Sequence, residues 1–172
     1  VVANELLEER AKFYQEVHKD SKMICGDITN KKIYESVIES GKKENVKLII
    51  ATPPCQGMSM AGKMDPNDIR NKLILKVSDS IDDLDPDYVL IENVPQMLKT
   101  YIVVNGKKVK IVDFLTNKYN QKYNITYGVV DAADYGTPQH RKRTIFLMSK
   151  KDIGIWNFPK KKKQITVRDV IG

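Results

Sequence analysis

Cysteine is scarce in this chain: Cys25 and Cys55 are the two among 172 residues, and they stand 30 positions apart. They make no disulfide framework, and neither shares a metal-ligand interval with His18 or His140, so reduced thiols and no bound metal are expected. Long apolar runs are missing as well; none approaches the ~18 residues that a membrane helix needs. The start, VVANELLEER, has neither secretory nor transit-peptide character. These absences read as a cytoplasmic protein without a membrane partner. No GxGxxG-type loop accompanies the first strand-like segment, although a nucleotide-binding sheet ordinarily opens with a strand and such a turn. The expectation is a piece truncated at its amino end.

What is present suits a globular domain with a real core: 41% hydrophobic and 30% charged residues. The net charge of +7 is unevenly spread, because residues 139–172 carry ten Lys or Arg against two Asp, leaving the preceding part near neutral. A near-neutral body with a strongly basic end suits a polyanion partner, with a solvated lysine face as the plainer alternative.

Short aliphatic runs alternate with helical periods, the pattern of an α/β, mostly parallel sheet. Strands are predicted at 1–4, 22–25, 46–51, 88–91, 125–130 and 144–148, and helices at 8–18, 31–40, 69–83 and 111–119. Asn105-Gly106 between two β-rich runs predicts a hairpin turn. Residues 1–158 are read as one catalytic α/β domain and 159–172 as a basic linker leaving it after Pro159, with no obvious terminal element.

The densest chemistry lies in Leu48 to Ser59, LIIATPPCQGMS. A thiol just past the carboxyl end of a buried strand sits where open α/β sheets place their reactions, and prolines stiffen its backbone. Cys55 is thus a candidate nucleophile. Four further segments place polar residues at predicted strand ends: Asn4-Glu5, Gly26-Asp27-Ile28, Glu92-Asn93-Val94 and Gln139 to Arg143. Each has a plainer reading: helix-start or N-cap carboxylates for Glu5 and Asp27, a cap for Glu92, and strand-edge charges for Arg141 and Arg143.

Taken in order, PPCQGMS, ENV and QHRKR resemble the cytosine-5 DNA methyltransferase family, and the likeness extends to the trailing TVRDVIG. The resemblance implies a Rossmann-like, S-adenosylmethionine-dependent methyltransferase sheet, mostly parallel with an antiparallel strand and truncated at both ends. It implies S-adenosyl-L-methionine as cofactor and double-stranded DNA as partner. Cys55 matches the thiolate that adds to carbon 6 of cytosine, and Glu92 the carboxyl that bonds N3 while the ring accepts it. Asn93 would brace the loop. Arg141 and Arg143 match groups that reach the base carbonyl, the active-site loop or a phosphate, and their field favours the thiolate. Glu5 matches the ribose-binding carboxylate, Asp27 and Ile28 the adenine-binding pair, and Pro54 and Leu73 the cofactor cleft. Residues 56–71 match a loop that closes over DNA with the target base flipped out, in which Gln56, Ser59 and Lys63 are candidate nucleic-acid contacts.

The chain also departs from the family pattern. The first block, the target-recognition domain and the closing blocks are missing, so weak cofactor binding and poor methylation are expected of this chain alone, with a complementary polypeptide as one possible supplier of the rest. Thr52 and Pro53 stand where a glycine and a bulky residue are commoner. His140 and Lys142 are assigned no role. The rival readings are a transfer-RNA cytosine methyltransferase, and a catalytically silent nucleic-acid-binding subunit of the same fold.

Overall fold

The structure is a computed structural model that describes residues 1–54 and 73–172. Two compact units emerge, one of residues 1–49 with 75–86, the other of residues 50–54, 73–74 and 87–172.

In the first unit, β1 (Val2–Glu5) and β2 (Lys22–Cys25) pair in parallel, Val2 opposite Lys22 and Glu5 opposite Cys25. A parallel pair needs a crossover, which α1 (Glu8–Val17) supplies. Helix α2 (Lys31–Lys43) begins where the Asn30 side chain accepts from the Lys32 amide, and its apolar stripe buries Ile38. The turn between β2 and α2 depends on Gly26. Its φ is +142°, and a Cβ there would lie 2.8 Å from Ile33 Cδ1, so glycine serves both the backbone and the close approach. Helix α3 (Leu73–Leu84) lies largely in this unit, where Asp83 accepts from the Tyr34 hydroxyl at 2.6 Å and Lys76 Nζ stands 4.7 Å from the Tyr34 ring centre.

A four-stranded sheet runs in the order β3-β4-β8-β7, and the Ile50–Ala51 end of β3 (Leu48–Ala51) is assigned to the second unit. Strand β8 (Lys142–Lys150) runs antiparallel both to β4 (Tyr88–Asn93) and to β7 (Tyr123–Asp131), so it is the reversed strand among its neighbours. Five residues of β8, Thr144 and Phe146 to Ser149, are buried, as in a strand covered on both faces. Phe146 stacks on Tyr127 with ring centres 4.8 Å apart. Helix α4 (Ile111–Tyr119) buries Ile111, Val112, Leu115 and Tyr119, one stripe at helical spacing.

Between β4 and α4 the chain forms a 3₁₀ helix at Pro95–Lys99 and then a hairpin, β5 (Tyr101–Val104) with β6 (Lys107–Lys110). Asn105 and Gly106 both have positive φ, +50° and +76°, as the predicted two-residue turn requires.

Two expectations change. Strands 125–130, 144–148 and 88–91 each extend further, because polar residues such as Lys142, Asn93 and Asp131 keep ladder hydrogen bonds that composition does not reveal. The end of the chain has an element after all: α5 (Val167–Ile171), opened by a reciprocal capping box between Thr166 and Asp169. The lysine run that follows Pro159 is held to the second unit, since Lys161 pairs with Asp134 at 2.7 Å and the Lys162 amide donates to the Asp134 carbonyl. The helix expected from residue 69 begins, within the described residues, at Leu73.

Candidate active site

Strand β4 ends in Glu92 and Asn93, one half-buried and one buried, because alternate side chains of a strand face opposite ways. Across the ladder Asn93 faces Thr144 and Glu92 faces Ile145, which brings Arg143 to the same end of the sheet. There Arg143 Nε lies 2.8 Å from Glu92 Oε1, with the two side chains 25% and 29% exposed. That partial burial separates the pair from an ordinary surface ion pair, and the arginine fixes where the carboxylate stands. A second donor of Arg143 bonds the Lys142 carbonyl at 2.8 Å, locking the guanidinium plane.

Asn93 ties this strand to the segment that leads toward Cys55. Its Nδ2 donates to the Pro53 carbonyl and its Oδ1 accepts from the Val94 amide, each at 2.9 Å. Proline cannot hold its own place through an amide, so an external donor on its carbonyl substitutes for the missing ladder bond. The buried Thr144 hydroxyl donates to the Val94 carbonyl at 3.2 Å, securing the other side of the same corner. Cys55, Gln56, Ser59 and Lys63 lie outside the described residues.

Arg141 sits just before β8 and is exposed; its amide donates to Asp131 Oδ1, and its guanidinium has no partner among the described residues. Asp131 was not singled out from the sequence, yet it organises this turn. It accepts from the Ala133 and Arg141 amides, and its Oδ2 lies 3.0 Å from His140 Nδ1. The His140 contact, foremost, and these two amides hold the Asp131 carboxyl below the usual carboxylate range. His140, which was assigned no role, therefore has one in shaping the start of β8. The available signal was an Asp before a short helical turn, DAADYG, read as an N-cap.

In the first unit Glu5 and Asp27 stand at the carboxyl ends of β1 and β2. Glu5 Oε1 accepts from the Leu7 amide at 3.0 Å, at the entry to α1, and Asp27 Oδ1 accepts from both the amide and the hydroxyl of Thr29. The N-cap of α2 is Asn30, so the alternative reading of Asp27 as that cap does not apply. Ile28 is half-buried and Asp27 exposed. Glu5 also borders a groove of about 500 Å³ with Ala3, Arg10, Phe13 and Tyr14. Pro54, exposed, and Leu73, half-buried at the start of α3, belong to the second unit. Among the described residues no group of acidic, His and Cys side chains is arranged to hold a metal, and no helix is long and apolar enough to cross a membrane.

The model of the C-5 cytosine-specific DNA methylase family matches residues 1–171. The chain belongs to that family. Type II methyltransferase M1.HgaI of Avibacterium volantium is 43% identical over 177 aligned positions, covering all of this chain and 49% of that protein. Type II methyltransferase M.MthTI of Methanothermobacter thermautotrophicus is 36% identical over 127 positions, 72% of this chain and 37% of the relative. Among solved structures, a DNA modification methyltransferase encoded within an E. coli prophage superposes with a TM-score of 0.72 at 26% identity, over 98% of this chain and 46% of that one. Spodoptera frugiperda DNMT2 shares the fold with a TM-score of 0.67 at 22% identity, over 96% of this chain and 46% of that one. The methylase chain therefore spans about half the length of such relatives, and its α/β fold is of the Rossmann-like methyltransferase type.

Proposed function

We propose that this methylase chain carries the catalytic centre of a DNA cytosine-5 methyltransferase of a bacterial, cytoplasmic restriction-modification system. The observation that carries the reading is the corner at the end of β4, where Glu92 is oriented by Arg143 and Asn93 fastens the Pro53 carbonyl two residues before Cys55. That corner ties a carboxylate and the approach to a thiol to one strand end.

The chemistry follows from the residue types. Carbon 5 of cytosine is too weak a nucleophile to take a methyl group unaided. The Cys55 thiolate adds to carbon 6, forming an S–C bond, while the ring electrons move toward carbon 5 and Glu92 bonds or protonates N3. Carbon 5 then takes the methyl group; loss of its proton and elimination of the thiolate restore the aromatic ring and free Cys55. S-adenosyl-L-methionine, when bound, supplies an electrophilic methyl on a sulfonium. Glu5 fits its ribose, because one carboxylate oxygen is committed to Leu7 and the other has no bond among the described residues. Asp27 and Ile28 are assigned to the adenine, and Pro54 and Leu73 to the cleft wall. A cytosine inside a duplex cannot reach a strand-end thiol, so the base must be flipped out, with Gln56, Ser59 and Lys63 on the closing loop and Arg141 and Arg143 toward base or phosphate.

Residues 1–158 are proposed as catalytic domain and 159–172 as the basic link toward a recognition region. Strand β1 pairs only with β2 among the described residues. Its open edge, beside the groove at Phe13 and Tyr14, supports a further segment, in the same or a complementary polypeptide, completing the cofactor site. Methyl transfer from labelled cofactor to duplex DNA and to transfer RNA by the intact protein tests the reading. Label in DNA cytosine at carbon 5 is expected; label confined to RNA overturns the DNA assignment.

A further inference from the structure

The hairpin β5–β6 is a charged element for which the reaction has no use. From Asn93 to Val112 the sequence holds four lysines, Lys99, Lys107, Lys108 and Lys110, and no acidic residue. Strand alternation divides the hairpin into two faces. Ile102, 1% exposed, faces Val109 on the inner side, while Tyr101 opposite Lys110 and Val103 opposite Lys108 form the outer side. Tyr101 and Val103 are each 38% exposed. Lys108 Nζ and Lys110 Nζ lie 4.9 and 5.9 Å from the Tyr101 ring centre, so the ring gathers both cations onto one face instead of leaving them splayed. None of the hairpin lysines has a carboxylate partner among the described residues.

The support beneath this face is stiff. The positive-φ turn at Asn105-Gly106 fixes the register, and the Ile111 amide donates to the Thr100 carbonyl, closing the base onto α4, where Ile111 is fully buried. The hairpin is also near the chemistry. A five-residue 3₁₀ helix at ~2 Å per residue plus three extended links spans at most ~20 Å from Asn93 to Tyr101. At 3.4 Å per nucleotide of one strand, that reach covers about six base pairs beside the target.

We propose that the outer face of the hairpin, Tyr101 with Lys108 and Lys110, is a backbone-phosphate contact for the duplex flanking the flipped base. The proposal rests on duplex DNA being the substrate. Phosphate contacts of this kind position the duplex and carry no sequence preference. Lysines already ordered over an aromatic ring lose less rotamer freedom on meeting a phosphate than free ones do.

The test is duplex binding by the intact methylase, followed by fluorescence anisotropy from 50 to 200 mM salt, with the double variant Lys108→Gln/Lys110→Gln. Loss of two phosphate contacts lowers the slope of log affinity against log salt by about 1.8, so the affinity lost over that salt range shrinks by ~10-fold relative to wild type. The turnover number at saturating duplex and the thermal midpoint stay unchanged, and Lys108→Arg/Lys110→Arg restores the slope. A slope identical to wild type in the Gln variant overturns the hairpin contact while leaving the methyltransferase reading intact. Wild-type protein that neither binds nor methylates duplex DNA overturns the substrate reading and the hairpin contact with it.

Discussion

Replacing Asn93 by alanine removes the two bonds its side chain makes among the described residues, to the Pro53 carbonyl and the Val94 amide, in a residue that is 2% exposed. Both partners are half-buried, so water replaces the lost bonds in part and each loss costs about 1 kcal/mol, roughly 2 kcal/mol together. For a domain of this size that lowers the melting temperature by about 4–8 °C. The larger consequence is kinetic. Pro53 stands two residues before Cys55, and a shift of ~1 Å in a reacting group costs on the order of 100-fold in rate. Single-turnover methyl transfer at saturating DNA, measured beside thermal unfolding, therefore separates two effects: a modest melting shift and a disproportionate fall in rate. A variant that melts lower yet transfers methyl groups within about 2-fold of wild type would refute the reasoning that Asn93 positions the thiol segment.

Further outcomes are expected from other sites. Arg143→Lys, which keeps the charge but loses the Nε contact to Glu92, lowers kcat/KM by ~10–100-fold, equivalent to about 1.4–2.7 kcal/mol, in steady-state methylation assays. Gly26→Ala forces a Cβ to 2.8 Å from Ile33 at a φ of +142° and destabilises the chain by roughly 1–3 kcal/mol in urea unfolding. Burial, aided by the Asp83 bond, raises the Tyr34 phenol well above its ordinary value, so the folded state keeps a proton that the unfolded state releases. Stability thus falls as pH rises past ~10, and Tyr34→Phe, having no proton to lose, removes that part of the pH dependence in denaturation curves.

Much of the scaffold was legible because its signals are local. The bounds of β2 and α4 follow from runs whose period and flanking polar residues agree, and the Asn105-Gly106 turn from a residue pair that readily tolerates two successive positive φ values. The 3₁₀ helix at Pro95–Lys99 and the capped helix α5 were not legible. One turn of structure has too few residues for a period; the 3₁₀ helix is held by packing, as the full burial of Met97 shows, and α5, which buries no residue, by its capping box. At the candidate site, Glu92, Asn93 and the two arginines were singled out through the order of their motifs. The partners that hold them were harder to find. Asp131 reaches across ten residues to the Arg141 amide, and Thr144 across fifty to the Val94 carbonyl, and such contacts exist only once the strands are registered.

The central claim is that Cys55 bonds covalently to carbon 6 of a cytosine whose N3 is met by Glu92. The direct measurement uses duplex DNA carrying 5-fluorocytosine at the target position, with S-adenosylmethionine and the intact protein. Fluorine cannot leave as a proton does, so the thiolate cannot be eliminated after methyl transfer. A denaturant-resistant protein–DNA adduct mapping to Cys55 by mass spectrometry, absent in Cys55→Ser and formed far more slowly in Glu92→Gln, is the expected result. An adduct that survives Cys55→Ser, or methylated product released without any adduct from the fluorinated duplex, would contradict the account.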